Sequence, residues 1–122
     1  MGVFSLFLKF EGRINRARFW IGNGVSVVLA FGLLLVGFAI DFAMAEGKNP
    51  SLFGILWVSG VFSLYAWIFL ALCAKRFHDH DSSGWWCLIL PVPAVGVLFF
   101  LIELGMMKGT PGGNKYGPGP AG

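Results

Sequence analysis

Between Lys75 and Trp86 the chain reads Lys75-Arg76-Phe77-His78-Asp79-His80-Asp81-Ser82-Ser83-Gly84-Trp85-Trp86. Cations, imidazoles and carboxylates crowd together here, and long apolar runs lie on both sides. Three chemistries use such residues. His78 and His80 could present both imidazoles to one metal ion if the backbone is extended, because residues two apart share a face in a strand. Imidazole with carboxylate suits zinc, iron or manganese. A working site needs a third and a fourth ligand, and the sequence offers no further histidine and no paired-cysteine motif. No metal and no cofactor is expected. Acid–base chemistry would set His78 beside Asp79, the carboxylate fixing the imidazole tautomer, with Ser82 or Ser83 as nucleophile. Neighbours in sequence seldom point at each other, and no oxyanion-hole motif accompanies them. The expectation is a protein that is not an enzyme.

The third chemistry is structural. Lys75 and Arg76 close a helix, where cations favour the C-terminal dipole. Asp79 and Asp81 pair with Arg76, or with arginines from a second basic stretch, Gly12-Arg13-Ile14-Asn15-Arg16-Ala17-Arg18-Phe19-Trp20. Ser82 or Ser83 caps the next helix, and Trp85-Trp86 sits at the membrane–water boundary. Arg13, Arg16 and Arg18 anchor the first span, and their planar forks also suit a phosphate or carboxylate. The residues expected to bind lipid or a partner are Arg13, Arg16, Arg18, Arg76, His78, Asp79, Trp85 and Trp86.

The elements that must position these groups follow from composition. The chain has 122 residues, 57% hydrophobic and 12% charged. Soluble domains carry roughly 25% charged residues. Apolar runs long enough to cross a hydrocarbon core are expected over residues 19–40, 52–74 and 85–104. Val3, Leu6, Phe7, Phe10 and Ile14 share one helical face, which predicts an interfacial amphipathic helix over 3–14. Gly12 interrupts or ends it. Pro91 and Pro93 predict a kink or a broken first turn in the last span. Gly22 and Ser26 make a small-x-x-x-small pair for close helix packing. Ser59 and Ser63 are placed to donate to helix carbonyls. The tail, 105–122, is rich in Gly and Pro and predicts irregular structure. Asn49-Pro50-Ser51 is a helix stop and start. The fold class is an all-α membrane protein, a single domain of three transmembrane helices behind a short interfacial helix. Arginines rather than a cleavage site follow the apolar start, so the first span is expected to stay as an anchor. Cys73 and Cys87 are expected as buried reduced thiols.

Counting Lys and Arg gives the orientation. With three spans, Lys9, Arg13, Arg16, Arg18, Lys75 and Arg76 share one side, and Lys48, Lys108 and Lys115 share the other. That places the N-terminus and the 75–84 loop in the cytoplasm and the tail outside.

Three motifs in order carry a resemblance: Gly12-Arg13, Arg16 and Phe19-Trp20; then Arg76, His78-Asp79 and Ser83-Gly84-Trp85-Trp86; then Gly109-Thr110, Gly112, Asn114 and Tyr116-Gly117-Pro118. The chain resembles the YhaH-like family of small bacterial inner-membrane proteins, a family of unknown function. The resemblance covers almost the whole chain and implies a multi-helix protein of the bacterial cytoplasmic membrane. It supplies no activity, and His80 lies outside its pattern. Two functions stand as expectations. The first is a non-enzymatic scaffold, homo-oligomeric, that binds anionic phospholipid headgroups or a membrane partner. The second is a transporter or channel component, which would need polar residues lining a path through the spans. No nucleic acid is expected, because no soluble domain presents a basic face.

Overall fold

The computed structural model describes residues 2–45 and 51–120. Its described elements are helical: α1 over Val3–Leu8, α2 over Arg16–Ala45, α3 over Leu52–Asp79, a 3₁₀ helix over Gly84–Ile89, α4 over Val95–Leu98 and a π-helical continuation over Phe99–Leu104. Asn49 and Pro50 lie outside the described residues, but Ser51 starts α3, its hydroxyl accepting from the Gly54 amide.

Among the described residues, two helices are long and apolar enough to cross a membrane. At about 1.5 Å per residue, the 30 residues of α2 and the 28 of α3 both exceed a core of about 30 Å. They pack as an antiparallel hairpin. A Cβ on Gly22 would meet Leu72 at 2.9 Å, and one on Gly37 would overlap the Trp57 ring, so both glycines permit close approach. Ser26 is buried in the same seam and donates to Gly22 O, so the small-residue pair is used within the chain. Trp57 Nε1 donates to Leu33 O at 2.7 Å and locks the register. At the far end Ser51 Oγ donates to Asp41 Oδ1, tying the end of α2 to the start of α3. Ser59 and Ser63 donate to Ile55 O and Ser59 O, as their spacing predicts.

Several expected boundaries move. Residues 75–79 are the last turn of α3 rather than a loop. The helix stops one turn later because Asp81 adopts a left-handed backbone, φ 57°. Asp81 N then donates to His78 O and Ser82 N to Phe77 O, the two bonds of a Schellman motif. The interfacial segment is helical only over Val3–Leu8, not to residue 14. Gly12, at φ 95°, turns the backbone where a side chain would be strained, and 9–15 run on irregularly. Leu6, Phe7 and Phe10 still pack on the core and Ile14 is fully buried, whereas Val3 is exposed. Lys75 Nζ donates to Ser5 O and Leu6 O, covering open carbonyls at the end of α1.

The largest change concerns the third apolar run. It is not one helix over 85–104. Ser83 caps a 3₁₀ turn by accepting from Trp85 N, and the chain reverses around Pro91 and Pro93. Prolines there remove two donors, and Ala94 carries the reversal at φ 65°. The chain then returns as α4 and its π continuation. Both ends of the run lie beside the last two turns of α3. Gly84 sits against Ala74 and His78, and Leu104 O receives Arg76 Nε at 2.6 Å. The ten residues from 95 to 104 reach about 15 Å, half of a bilayer core. The run therefore begins and ends at the same end of the hairpin.

Ile14, Phe19, Ile68, Leu72, Cys73, Phe77, Cys87 and Leu104 form the core, gathered at that same end of the hairpin. Cys73 and Cys87 are free and buried.

Candidate functional site: a buried arginine–aspartate knot

The core ends in a buried polar knot built on Asp79, the last residue of α3. Arg76, one turn earlier, sets Nη1 2.5 Å from Asp79 Oδ2. Arg13, on the irregular segment before α2, brings Nη2 to 2.9 Å and Nε to 3.1 Å of Asp79 Oδ1. One carboxylate therefore bridges two guanidiniums, and all three side chains are buried. Burying charge is costly unless each donor finds an acceptor. Here backbone carbonyls complete the set. Arg13 donates to Gly112 O at 2.7 Å, Gly117 O at 3.1 Å and Thr110 O at 2.7 Å. Arg76 donates to Leu104 O at 2.6 Å, Ile14 O at 3.1 Å and Met107 O at 2.7 Å. Each guanidinium has five N–H groups; these partners occupy all five of Arg13 and four of Arg76, whose Nη2 also lies 3.5 Å from His80 Nε2.

The carbonyls belong to the tail and to the end of the returning run. Leu104 O and Met107 O take Arg76, Gly105 O takes Trp20 Nε1 at 2.9 Å, and Met106 O takes Arg16 Nη1 at 3.0 Å. A helix end leaves its last carbonyls open, and three side chains from α2 and α3 close them. The tail is irregular, as expected, but it is docked. Thr110 N donates to Asp79 O at 2.6 Å, Asn114 Nδ2 to His78 O at 3.0 Å, and Asn114 pairs with Gly117 in a tight turn. Tyr116 stacks on the His78 ring, centroids 4.1 Å apart and planes 9° apart. The tail thus lies at the same end as the N-terminal segment and the end of α3, which corrects its placement on the opposite side. The expected separation assumed that residues 85–104 cross.

Gly109 meets the knot where nothing larger fits. A Cβ there would lie 1.9 Å from Asp79 Oδ2 and 2.6 Å from Asp79 O. Gly109→Ala is expected to lower stability by about 1–3 kcal/mol, the scale of overpacking in a core. Proteolysis should then cut the tail faster than in the parent, and unchanged cleavage and melting would contradict this docking.

The other expected site residues divide. His78 joins the knot's margin, its Nδ1 3.0 Å from Gly12 O. His80 lies on the other margin of the knot, its Nε2 3.3 Å from Met107 O and 3.5 Å from Arg76 Nη2. The two rings do not share a face, because 75–79 is helix and residues two apart on a helix diverge. Burial, then the Arg76 charge, push the His80 pKa below its ordinary value. Trp85 and Trp86 are exposed outside the knot. Arg16 is exposed and Arg18 half-buried, and Asp79 pairs with neither in an ion pair. Against the knot lies a polar recess of about 280 Å³, lined by Arg76 and Asp79 of the knot together with Asn15, Arg16, Lys108 and Gly109. Lys108 and Trp20 escaped the sequence reading. Lys108 was assigned to the far side, and a tryptophan reads as an interfacial anchor before it reads as a carbonyl cap. Within the spans, Asn23 and Ser26 are buried but turn back on their own helix, to Phe19 O and Gly22 O.

Two long apolar helices, joined at one end by a buried ionic knot, define a helical membrane protein. The chain belongs to the family of proteins of unknown function DUF805, whose model matches residues 7–118. It is 31% identical to inner membrane protein YhaH of Escherichia coli K12 over 119 residues, which is 97% of this chain and 92% of that one. Inner membrane protein YhaI of the same organism is 27% identical over 120 residues, 98% and 92% of the two chains. The uncharacterized protein YiiR is 31% identical over 141 residues, 96% and 89%. No solved structure matches. The family resemblance read from the three motifs is borne out.

Proposed function

We propose that this chain is a multi-pass, non-enzymatic scaffold of the bacterial inner membrane that holds anionic lipid headgroups at its knot end. The observation that carries the reading is the recess beside the knot. Arg13 and Arg76 are spent on internal partners, so a headgroup is taken by the exposed cations that line the recess, Arg16 and Lys108. Arg18 and the exposed Trp85 and Trp86 flank the same membrane face and anchor it. Arg13, Arg76, His78 and Asp79 build the platform beneath.

Charge supports a cytoplasmic knot end. Of the nine Lys and Arg residues, only Lys48 falls in the connection between α2 and α3, and the other eight gather at the knot end. That bias is steeper than the six against three of a three-span reading, and basic loops stay inside. Little of α2 is covered within the chain, which supports self-association through that helix.

The test is lipid retention by native mass spectrometry from mild detergent. Each cation at a lipid surface contributes about 1 kcal/mol, so Arg16→Gln with Lys108→Gln should cut retention of phosphatidylglycerol on the order of 30-fold. Retention of phosphatidylcholine should barely move. Equal loss of both lipids, or no loss, would contradict the headgroup site. A single-copy mass in several detergents would contradict self-association.

A further inference from the structure

Beside the knot two imidazole nitrogens make no hydrogen bond among the described residues, the buried His80 Nδ1 and, at the open margin, His78 Nε2. Gly12 O can only accept, so His78 Nδ1 carries the proton and Nε2 of the neutral ring keeps a bare lone pair. The Tyr116 stack fixes the ring's plane. Nε2 faces Gly84, where a Cβ would lie 3.3 Å away. With Ser83 it forms the polar head of a cavity of about 400 Å³ whose remaining walls are apolar, Phe10, Trp85 and Leu88 among them. Leu70 and Cys87 also line a neighbouring apolar groove of about 470 Å³, whose walls include Ala66 on α3 and Pro91 and Phe100 on the returning run. From His78 to Ala66 is about 18 Å of helix, against about 15 Å for one leaflet of the core. The polar head lies at the membrane-surface end and the apolar trough runs inward, the polarity order of a lipid.

We infer that this groove seats one acyl chain of a membrane lipid whose headgroup donates an N–H or O–H hydrogen bond to His78 Nε2. The site is separate from the Arg16 and Lys108 recess, on the opposite flank of His78 from the tail, and asks for a donor rather than a negative charge. Trp85 and Leu88, exposed at the outer lip, let the chain enter sideways from the bilayer. Ethanolamine headgroups carry N–H donors, and choline headgroups carry none.

The test compares dioleoyl phosphatidylethanolamine with dioleoyl phosphatidylcholine on the full chain at pH 8, where imidazole is neutral. Both lipids lack net charge, so failure here is distinct from failure of the anionic site. Native mass spectra should show the first ethanolamine lipid retained about five-fold over choline, the scale of one added hydrogen bond. His78→Phe, which keeps a ring against Tyr116, should bring the two to parity. Leu88→Trp, filling the groove from its exposed lip and leaving the knot untouched, should remove the first lipid of either kind. It decides the matter alone if His78→Phe does not fold. Equal retention in the parent, or full retention in Leu88→Trp, would overturn the inference. So would a dimer mass lost in Leu88→Trp without any lipid adduct, which would assign the groove to a second copy.

Discussion

Asp79→Ala is expected to lower the unfolding free energy by about 3–5 kcal/mol, the cost of leaving buried charge without its partner. The carboxylate is shared, so its loss strands two guanidiniums at once, Arg13 and Arg76, in a site with almost no access to water. The loss is large beside a total stability of about 5–15 kcal/mol, so the folded yield should fall with it. Denaturation by dodecyl sulfate in mixed micelles reads the change. Glu11→Ala, at an exposed position, should shift the midpoint by no more than about 0.5 kcal/mol. Equal midpoints for Asp79→Ala and the parent would remove the knot as a source of stability.

Arg76→Lys should cost about 2–4 kcal/mol although it keeps the charge. Arg76 reaches Asp79, Ile14 O, Leu104 O and Met107 O with one rigid fork. A lysine has three donors on a flexible stem. Three donors on one nitrogen leave at least one of the four partners without its bond, at about 1–3 kcal/mol for each buried group left unmade, and the others are reached at poorer geometry. The effect should reach the returning run, because Leu104 O and Met107 O are held from α3 by this side chain. Hydrogen exchange at 104–110 should accelerate in Arg76→Lys while the α2–α3 seam near Trp57 stays protected. In the double variant Arg76→Ala with Asp79→Ala the losses should fall short of additive, since the partners share one network. Strict additivity would mean that they act independently.

Much of this arrangement is legible in the sequence. The apolar runs of α2 and α3, the Gly22–Ser26 seam, the serine back-bonds and the Ser83 cap all follow from local rules of spacing and hydrogen bonding. So does the pairing of a carboxylate of the 75–84 stretch with Arg76 or the 13–18 arginines, because a carboxylate flanked by apolar runs must find cations on its own side. That Asp79 rather than Asp81 takes the role, and Arg13 rather than Arg16 or Arg18, does not follow from those rules. The boundaries at 75–79 are not legible, because a charged string after an apolar run reads as loop when its carboxylate is about to be buried. The third run misleads for a related reason. Its length and hydropathy match a span, and Pro91 and Pro93 predict a kink, but a kink and a full reversal differ only in where the far end binds. That is decided by Arg76, Trp20 and Arg16 taking the carbonyls of 104–107, contacts far apart in sequence. The tail's Gly and Pro turns predict irregular backbone correctly. They do not announce that Gly112 and Gly117 turn their carbonyls toward Arg13 while Gly109 lays bare backbone against Asp79.

The central claim is that the knot ties the N-terminal segment, the end of α3 and the tail to one membrane face. Single cysteines test it in a Cys73→Ala, Cys87→Ala background, labelled in sealed vesicles of known orientation with a membrane-impermeant maleimide. Gly2→Cys and Gly119→Cys should label from the same face, and Met44→Cys, at the far end of α2, from the other. Labelling of Gly2→Cys and Gly119→Cys from opposite faces would restore a third crossing and contradict the knot as the joint of the fold.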